Sequence, residues 1–217
     1  MKTKIKLKYK CIIFDCDGVL VDSEEISNAV LLQMAKEVGV DITEEYAIDH
    51  FAGKSLKSTF EYIEKLAKQE LPPFFMEEYR KRTFDAFRLE MKPIEGIHDL
   101  LEEIQVDYCV ASSGPMDKIK LNLTTTRLFE KFEHKMFSSY DIGSWKPNPE
   151  IFEHAAKNMG YKPEECAVIE DSLAGVIAAK KGGFDVFGYA NERNKNDFEK
   201  EGATVFFKMN ELSNLLI

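Results

Sequence analysis

Short apolar runs alternate along this chain with longer segments in which apolar residues recur every three or four positions. Five runs read as strands: Cys11–Phe14, Tyr108–Ala111, Met136–Ser138, Ala167–Ile169 and Val186–Tyr189. Between them, Ile97, Leu100, Leu101 and Ile104 fall at i, i+3, i+4 and i+7, and Ile151, Phe152, Ala155, Ala156 and Met159 repeat the spacing. Each set forms one apolar stripe for packing on a sheet. Strands alternating with such helices predict an α/β core, a parallel sheet with helices on both faces.

The stretch between the first two strands breaks this rhythm. It holds roughly ninety residues without a strand signal, where a simple crossover needs about a dozen. Ile26, Val30, Met34 and Val38 step by four, Leu56–Ala67 is amphipathic up to Pro72-Pro73, and Phe74–Met91 gives a third helical stretch ending before Pro93. An inserted helical bundle over residues 22–92 is expected, leaving 1–21 and 93–217 as the core. The aromatics of the insert, Phe51, Phe60, Phe74, Phe75, Phe84 and Phe87, are expected to pack its interior rather than form a stacking platform.

With 29 basic and 38 acidic residues among 217, the net charge is −9, which disfavours nucleic acid or an anionic membrane as a partner. Residues Met1 to Lys10 alternate lysine with Ile5 and Leu7, unlike a signal peptide, and no run approaches a membrane span. Cys11, Cys16, Cys109 and Cys166 form no Cys-x-x-Cys pair, so buried free thiols in a cytoplasmic protein are expected. His50, His98, His134 and His154 lack metal-ligand spacing and are assigned no chemistry.

Chemistry concentrates where strands end. In Phe14-Asp15-Cys16-Asp17-Gly18 two carboxylates lie two residues apart as an apolar strand runs into a glycine. A turn just past Asp15 leaves one carboxylate at the strand's carboxyl end and swings the other over the same crevice, where open α/β sheets bind ligands. Ser112-Ser113-Gly114-Pro115 follows the second strand and opens a helix whose free N–H groups suit phosphate, although the same residues make an ordinary turn and cap. Lys146, between Trp145 and Pro147, is a restrained cation before a helix near Pro149. Glu170-Asp171-Ser172 ends another buried strand, and either Asp171 or Ser172 suits the role of helix cap. Beside Asp15 and Asp17, such acids repel by about 4 kcal/mol per pair at 4 Å and a dielectric of 20. A cation is required, and a hard dication with oxygen ligands, magnesium, fits best.

These four segments, in this order and with a helical insert after the first, resemble the haloacid dehalogenase superfamily, in its subfamily of phosphohydrolases with a helical cap. The likeness spans essentially the whole chain. It implies a Rossmann-like core and a Mg2+-dependent phosphatase in which Asp15 forms an aspartyl-phosphate while Asp17 protonates the leaving alcohol and then activates water. By the same resemblance Asp15, the Asp17 carbonyl and Asp171 hold Mg2+ with help from Glu170, and Ser112, Ser113 and Lys146 neutralise the phosphoryl oxygens. A small phosphorylated sugar or sugar acid is the implied substrate, and the chain is expected to act as a monomer. Cap closure about hinges near Val21–Glu24 and Met91–Glu95 is expected to exclude water.

The dehalogenases of the superfamily lack an acid at the second position, so Asp17 argues against that chemistry. A sugar-phosphate mutase of the β-phosphoglucomutase kind shares all four motifs and the cap. Its cap-loop arginine, three residues after a glycine, corresponds to Leu56 in Gly53-Lys54-Ser55-Leu56, which favours a phosphatase, with Lys54 or Lys57 left as partial substitutes. A catalytically idle phosphate- or metal-binding module is the remaining alternative, and the presence of Asp15, Asp17, Ser112, Lys146 and Asp171 speaks against it.

Overall fold

The computed structural model describes residues 8–51 and 56–217. The expectations for Met1–Leu7 and for Gly53-Lys54-Ser55 therefore concern residues outside the described ones. Chain contacts divide into two compact units, Met1–Asp22 with Lys92–Ile217 and Ser23–Met91.

The first unit opens with strand β1 (Cys11–Phe14). The second unit contributes α1 (Glu24–Glu37), α2 (Glu44–Phe51), α3 (Leu56–Ala67) and α4 (Phe75–Glu90). The first then resumes with α5 (Ile97–Glu103), β2 (Asp107–Ser112), α6 (Met116–Thr125), α7 (Phe129–Phe132), β3 (Met136–Ser138), α8 (Ser139–Ile142) and α9 (Glu150–Met159). It ends with β4 (Cys166–Glu170), α10 (Leu173–Lys181), β5 (Asp185–Tyr189), α11 (Lys195–Lys200), β6 (Thr204–Phe206) and α12 (Met209–Leu215).

The six strands form one sheet in the order β3-β2-β1-β4-β5-β6, and every neighbouring pair is parallel. All residues of β1 and β4 are buried, as expected for central strands covered on both faces. Alternate residues divide between the faces. Cys11, Ile13, Cys109, Ala111, Cys166 and Val168 pack with Phe152 and Ala155 of α9 and Val176 and Ala179 of α10. Phe14, pointing the other way, meets Tyr108 and Phe132 edge-on. The order reverses direction between β1 and β4, the position beyond whose carboxyl ends open α/β sheets bind ligands. All four cysteines are buried and free.

The short elements α2, α7, α8, α11, β6 and α12 escaped the sequence pattern. β6 has three residues, of which only Phe206 is buried, and α2 buries only Ala47 and Phe51, so neither carries a readable period. In α1 the buried residues are Leu31, Met34 and Ala35, followed by Val38; of the row stepping by four, Met34 and Val38 are buried, Val30 packs against the same core and Ile26 is half-buried. Each step of four advances about 40° beyond a full turn, so that row winds off the buried face.

The helical unit packs Leu31, Met34, Phe51, Phe60, Ile63, Phe75 and Tyr79 into its own core. Phe60 meets Phe75 and Tyr79 edge-on at 5.3 and 5.5 Å. Phe74 departs from the expected interior role: it is 76% exposed at the start of α4, with φ 64°.

On the β5 side, a Cβ added at Gly188 would lie 2.6 Å from the ring of Phe198, which is fully buried. Gly188→Ala should therefore lower stability by about 1–3 kcal/mol through overpacking. Combining it with Phe198→Leu should cost less than the sum of the two single changes in urea melts. Strict additivity would show that the ring does not set the limit.

Candidate active site

Asp15 is the first residue beyond β1, and its N–H donates to the Ile169 carbonyl at 3.0 Å, tying it to the end of β4. The chain then turns at Gly18, at φ +74°, whose N–H bonds the Val21 carbonyl at 2.9 Å. An L side chain at this position is strained. It would also collide with Asp171, whose Oδ2 lies 1.9 Å from where a Cβ would stand. The glycine thus makes the turn and leaves room for a carboxylate from β4.

Asp15, Glu170 and Asp171 form the anionic centre, each offering an oxygen within 4.8 Å of the others'. Lys146 Nζ donates to Asp15 Oδ1 and to Glu170 Oε2, both at 2.7 Å, and its side chain is only 5% exposed. The ammonium also lies 4.9 Å from the centre of the Phe152 ring. Burial, together with the Glu170 charge, outweighs Lys146 and pushes the Asp15 carboxyl up to about 7. Burial pulls the other way on Lys146, but the two carboxylates hold its pKa above the ordinary lysine value.

Glu170 is completely buried and accepts from the Ser172 N–H at 3.1 Å and the Ser172 hydroxyl at 2.6 Å. Ser172 is also the cap of α10, accepting from the Gly175 N–H at 3.1 Å, so Asp171 does not serve as the cap. A Cβ at Gly175 would fall 2.0 Å from the Glu170 carboxyl carbon; this glycine is what lets the helix close over the acid. Three carboxyl groups stand against one ammonium, and all the donors are hard oxygens. The set fits a divalent cation held by Asp15, Asp171 and Glu170.

Asp17 faces different partners. Lys118 Nζ donates to its Oδ2 at 2.9 Å and Asn122 Nδ2 to its Oδ1 at 3.1 Å, both from α6. Asn122 is fully buried and its own Oδ1 lacks a hydrogen-bond partner, an omission that costs about 1–3 kcal/mol. Sequence reasoning missed both residues. The signals were a polar residue between Leu121 and Leu123 and a lysine one helical turn before it, directly after the serine loop.

Ser112 ends β2 with 1% exposure, and its Oγ accepts from the Gly114 N–H at 3.0 Å, which leaves the hydroxyl proton to donate. Ser138 at the end of β3 donates to the Gly114 carbonyl at 2.7 Å and braces the loop. Ser113 is half-buried beside it. A Cβ at Gly114 would lie 3.4 Å from Ser112 Oγ and 3.8 Å from Asp17 Oδ2, so the serine loop and Asp17 border one space. The histidines take structural contacts: His50 stacks on Tyr46 and His98 bonds the Thr126 carbonyl at 3.1 Å.

A family model described as haloacid dehalogenase-like hydrolase matches residues 12–189. The chain is 32% identical over 213 residues to the 6-phosphogluconate phosphatase of Escherichia coli (strain K12), covering 96% of this chain and 95% of that protein. It is 26% identical to the phosphorylated carbohydrates phosphatase of Thermotoga maritima, covering 95% and 98%. A conserved haloacid dehalogenase-like protein of unknown function from Agrobacterium tumefaciens has a solved structure that superposes with a TM-score of 0.87 at 29% identity, covering 95% and 97%. Matched over most of its length by the family model and over nearly all of it by these relatives, the chain belongs to the haloacid dehalogenase-like hydrolase family.

Proposed function

We propose that this chain is a Mg2+-dependent phosphatase acting on a small phosphorylated metabolite, a sugar phosphate or sugar-acid phosphate, through an aspartyl-phosphate at Asp15. The observation that carries the reading is the buried Asp15–Lys146–Glu170 arrangement with Asp171 beside it, at the reversal point of the sheet. Two relatives named as phosphatases of 6-phosphogluconate and of phosphorylated carbohydrates support the substrate class. Among the described residues no helix is long and apolar enough to cross a membrane.

In the first step an Asp15 oxygen attacks phosphorus, the bond to the substrate oxygen breaks, and Asp17 gives that oxygen a proton. In the second step Asp17 takes a proton from water, whose oxygen attacks the same phosphorus and releases phosphate with Asp15 restored. Ser112, the Ser113 N–H and Lys146 neutralise the phosphoryl oxygens. Lys146 has three donors, and the two bonds to Asp15 and Glu170 leave one for the substrate. Bound Mg2+, held by Asp15, Asp171, the Asp17 carbonyl and Glu170, supplies the remaining positive charge. The residues 22–92 would act as the cap that contacts the leaving group.

Phosphate release from a panel of phosphorylated sugars, sugar acids and nucleotides should require Mg2+ and should fall to background in Asp15→Asn. Isomerised sugar phosphate in place of free phosphate would give the case to the mutase reading. Asp17→Asn should keep metal binding while slowing turnover of alkyl phosphates by about 10²–10⁴-fold, and undiminished turnover would remove Asp17 from its role.

The raised Asp15 pKa sets a pH dependence for metal uptake. Below about 7 the metal-free site holds a proton on Asp15 that the cation must displace. Mg2+ affinity should therefore fall by up to about tenfold per pH unit as the pH drops below 7. Calorimetric titrations at several pH values measure this. An affinity unchanged from pH 7 to pH 5 would contradict it.

A further inference from the structure

The geometry points to Lys118 and Asn122 as positioning residues for Asp17: from one face of α6 they hold both of its carboxylate oxygens and set its direction beside the serine loop. The inference rests on the acid/base role proposed for Asp17. It goes beyond that role by naming what aims the carboxylate.

Lys118 and Asn122 are four residues apart on α6, a spacing that stacks two side chains on one helical face. One donor on a carboxylate leaves it free to turn about its terminal torsion. Here the ammonium takes Oδ2 and the amide takes Oδ1, at 2.9 and 3.1 Å, so both the direction and the plane of the group are defined. Because α6 starts directly after Ser112–Pro115, the same rigid element that follows the serine loop orients Asp17. The Gly114 backbone sits among all three partners, a Cβ there lying 3.4 Å from Ser112 Oγ, 3.5 Å from Lys118 Cδ and 3.8 Å from Asp17 Oδ2.

Asn122 supplies the argument against a purely structural role. It is fully buried, and its carbonyl oxygen has no hydrogen-bond partner. Turning the amide over would set that oxygen against the Asp17 carboxylate and lose the bond to Oδ1. A leucine would satisfy the core better. What the asparagine provides is the N–H aimed at Asp17. Lys118 complements it: burial draws its pKa down, yet the Asp17 charge and hydrogen bond, with Cys16 and Asp15 behind them, raise it above the ordinary value. The ammonium therefore stays charged, with its side chain 23% exposed.

A general acid must reach the leaving oxygen at hydrogen-bond distance, and displacement by about 1 Å costs on the order of 10²-fold in rate. The two donors keep Asp17 at that station in both steps, first as it delivers a proton and then as it takes one from water.

The test compares two probe esters with Mg2+ present. Glycerol phosphate leaves as an alkoxide that needs a proton, whereas para-nitrophenyl phosphate leaves as a stable phenolate. Asn122→Leu and Lys118→Met should each lower kcat on glycerol phosphate by up to about 10²-fold. They should slow steady-state para-nitrophenyl phosphate turnover as well, because water attack on the aspartyl-phosphate needs Asp17 for either ester. The pre-steady-state burst of para-nitrophenolate, which needs no proton, should stay near that of the unmutated protein. Lys118→Arg should restore part of the loss. In an Asp17→Asn background neither substitution should slow glycerol phosphate further. A para-nitrophenolate burst slowed as much as glycerol phosphate turnover, or losses that persist without Asp17, would overturn the inference. A crystal structure of Asn122→Leu separates the two possible failures. An unmoved Asp17 carboxylate overturns the positioning role whatever the activity, while esters left intact by the unmutated protein overturn the phosphatase reading instead.

Discussion

The site depends on one buried cation. Lys146 reaches Asp15 and Glu170 at 2.7 Å each, and without it two carboxylates from adjacent strands would face each other in a desolvated crevice. Breaking such a buried pair by removing one member costs about 3–5 kcal/mol, because the charge left behind keeps its desolvation penalty. The surrounding backbone accommodates this arrangement. Gly18 clears space for Asp171, Gly175 clears space for Glu170, and Ser172 both caps α10 and donates to Glu170. These local features make sense together as the means of gathering three carboxyl groups, two of them on a single ammonium, where their oxygens could hold a divalent cation.

The two aspartates of the first loop occupy separate electrostatic settings although they are two residues apart. Asp15 faces Lys146, Glu170 and Asp171 at the ends of β1 and β4. Asp17 faces Lys118 and Asn122 from α6, on the β2 side of the crevice. The turn at Gly18 lets one short segment serve both neighbourhoods. The two carboxylates thus meet different charged and polar partners although one loop carries both.

The strand positions were legible because β1 through β5 are short, apolar and bounded by polar turns, and a fully buried parallel strand has little freedom to look otherwise. β6 was not, since an edge strand of three residues with one buried side chain resembles a loop. The stripe of α1 was legible in part: Met34 and Val38 are buried, while a row stepping by four drifts off the buried face toward Ile26 and passes over Leu31 and Ala35. Phe74 was assigned to the interior on residue type alone, yet it stands in solvent at a helix start with a left-handed backbone.

The sequence by itself determined the parallel α/β core, the strand ends at which chemistry gathers, and the identities of Asp15, Asp17, Ser112, Lys146, Glu170 and Asp171 as candidates. It could do so because strand period and helix stripes are local, and because paired acids at strand ends are costly enough to need a reason. Only the tertiary structure decided which group meets which: that Lys146 spans Asp15 and Glu170, that Ser172 rather than Asp171 caps α10, and that Lys118 and Asn122 hold Asp17. Those contacts join residues 24 to 131 positions apart or turn on the angle at which a helix leaves its strand. No local pattern encodes such distances, because they are set by the order of strands in the sheet and by the packing of α6 and α10 against it.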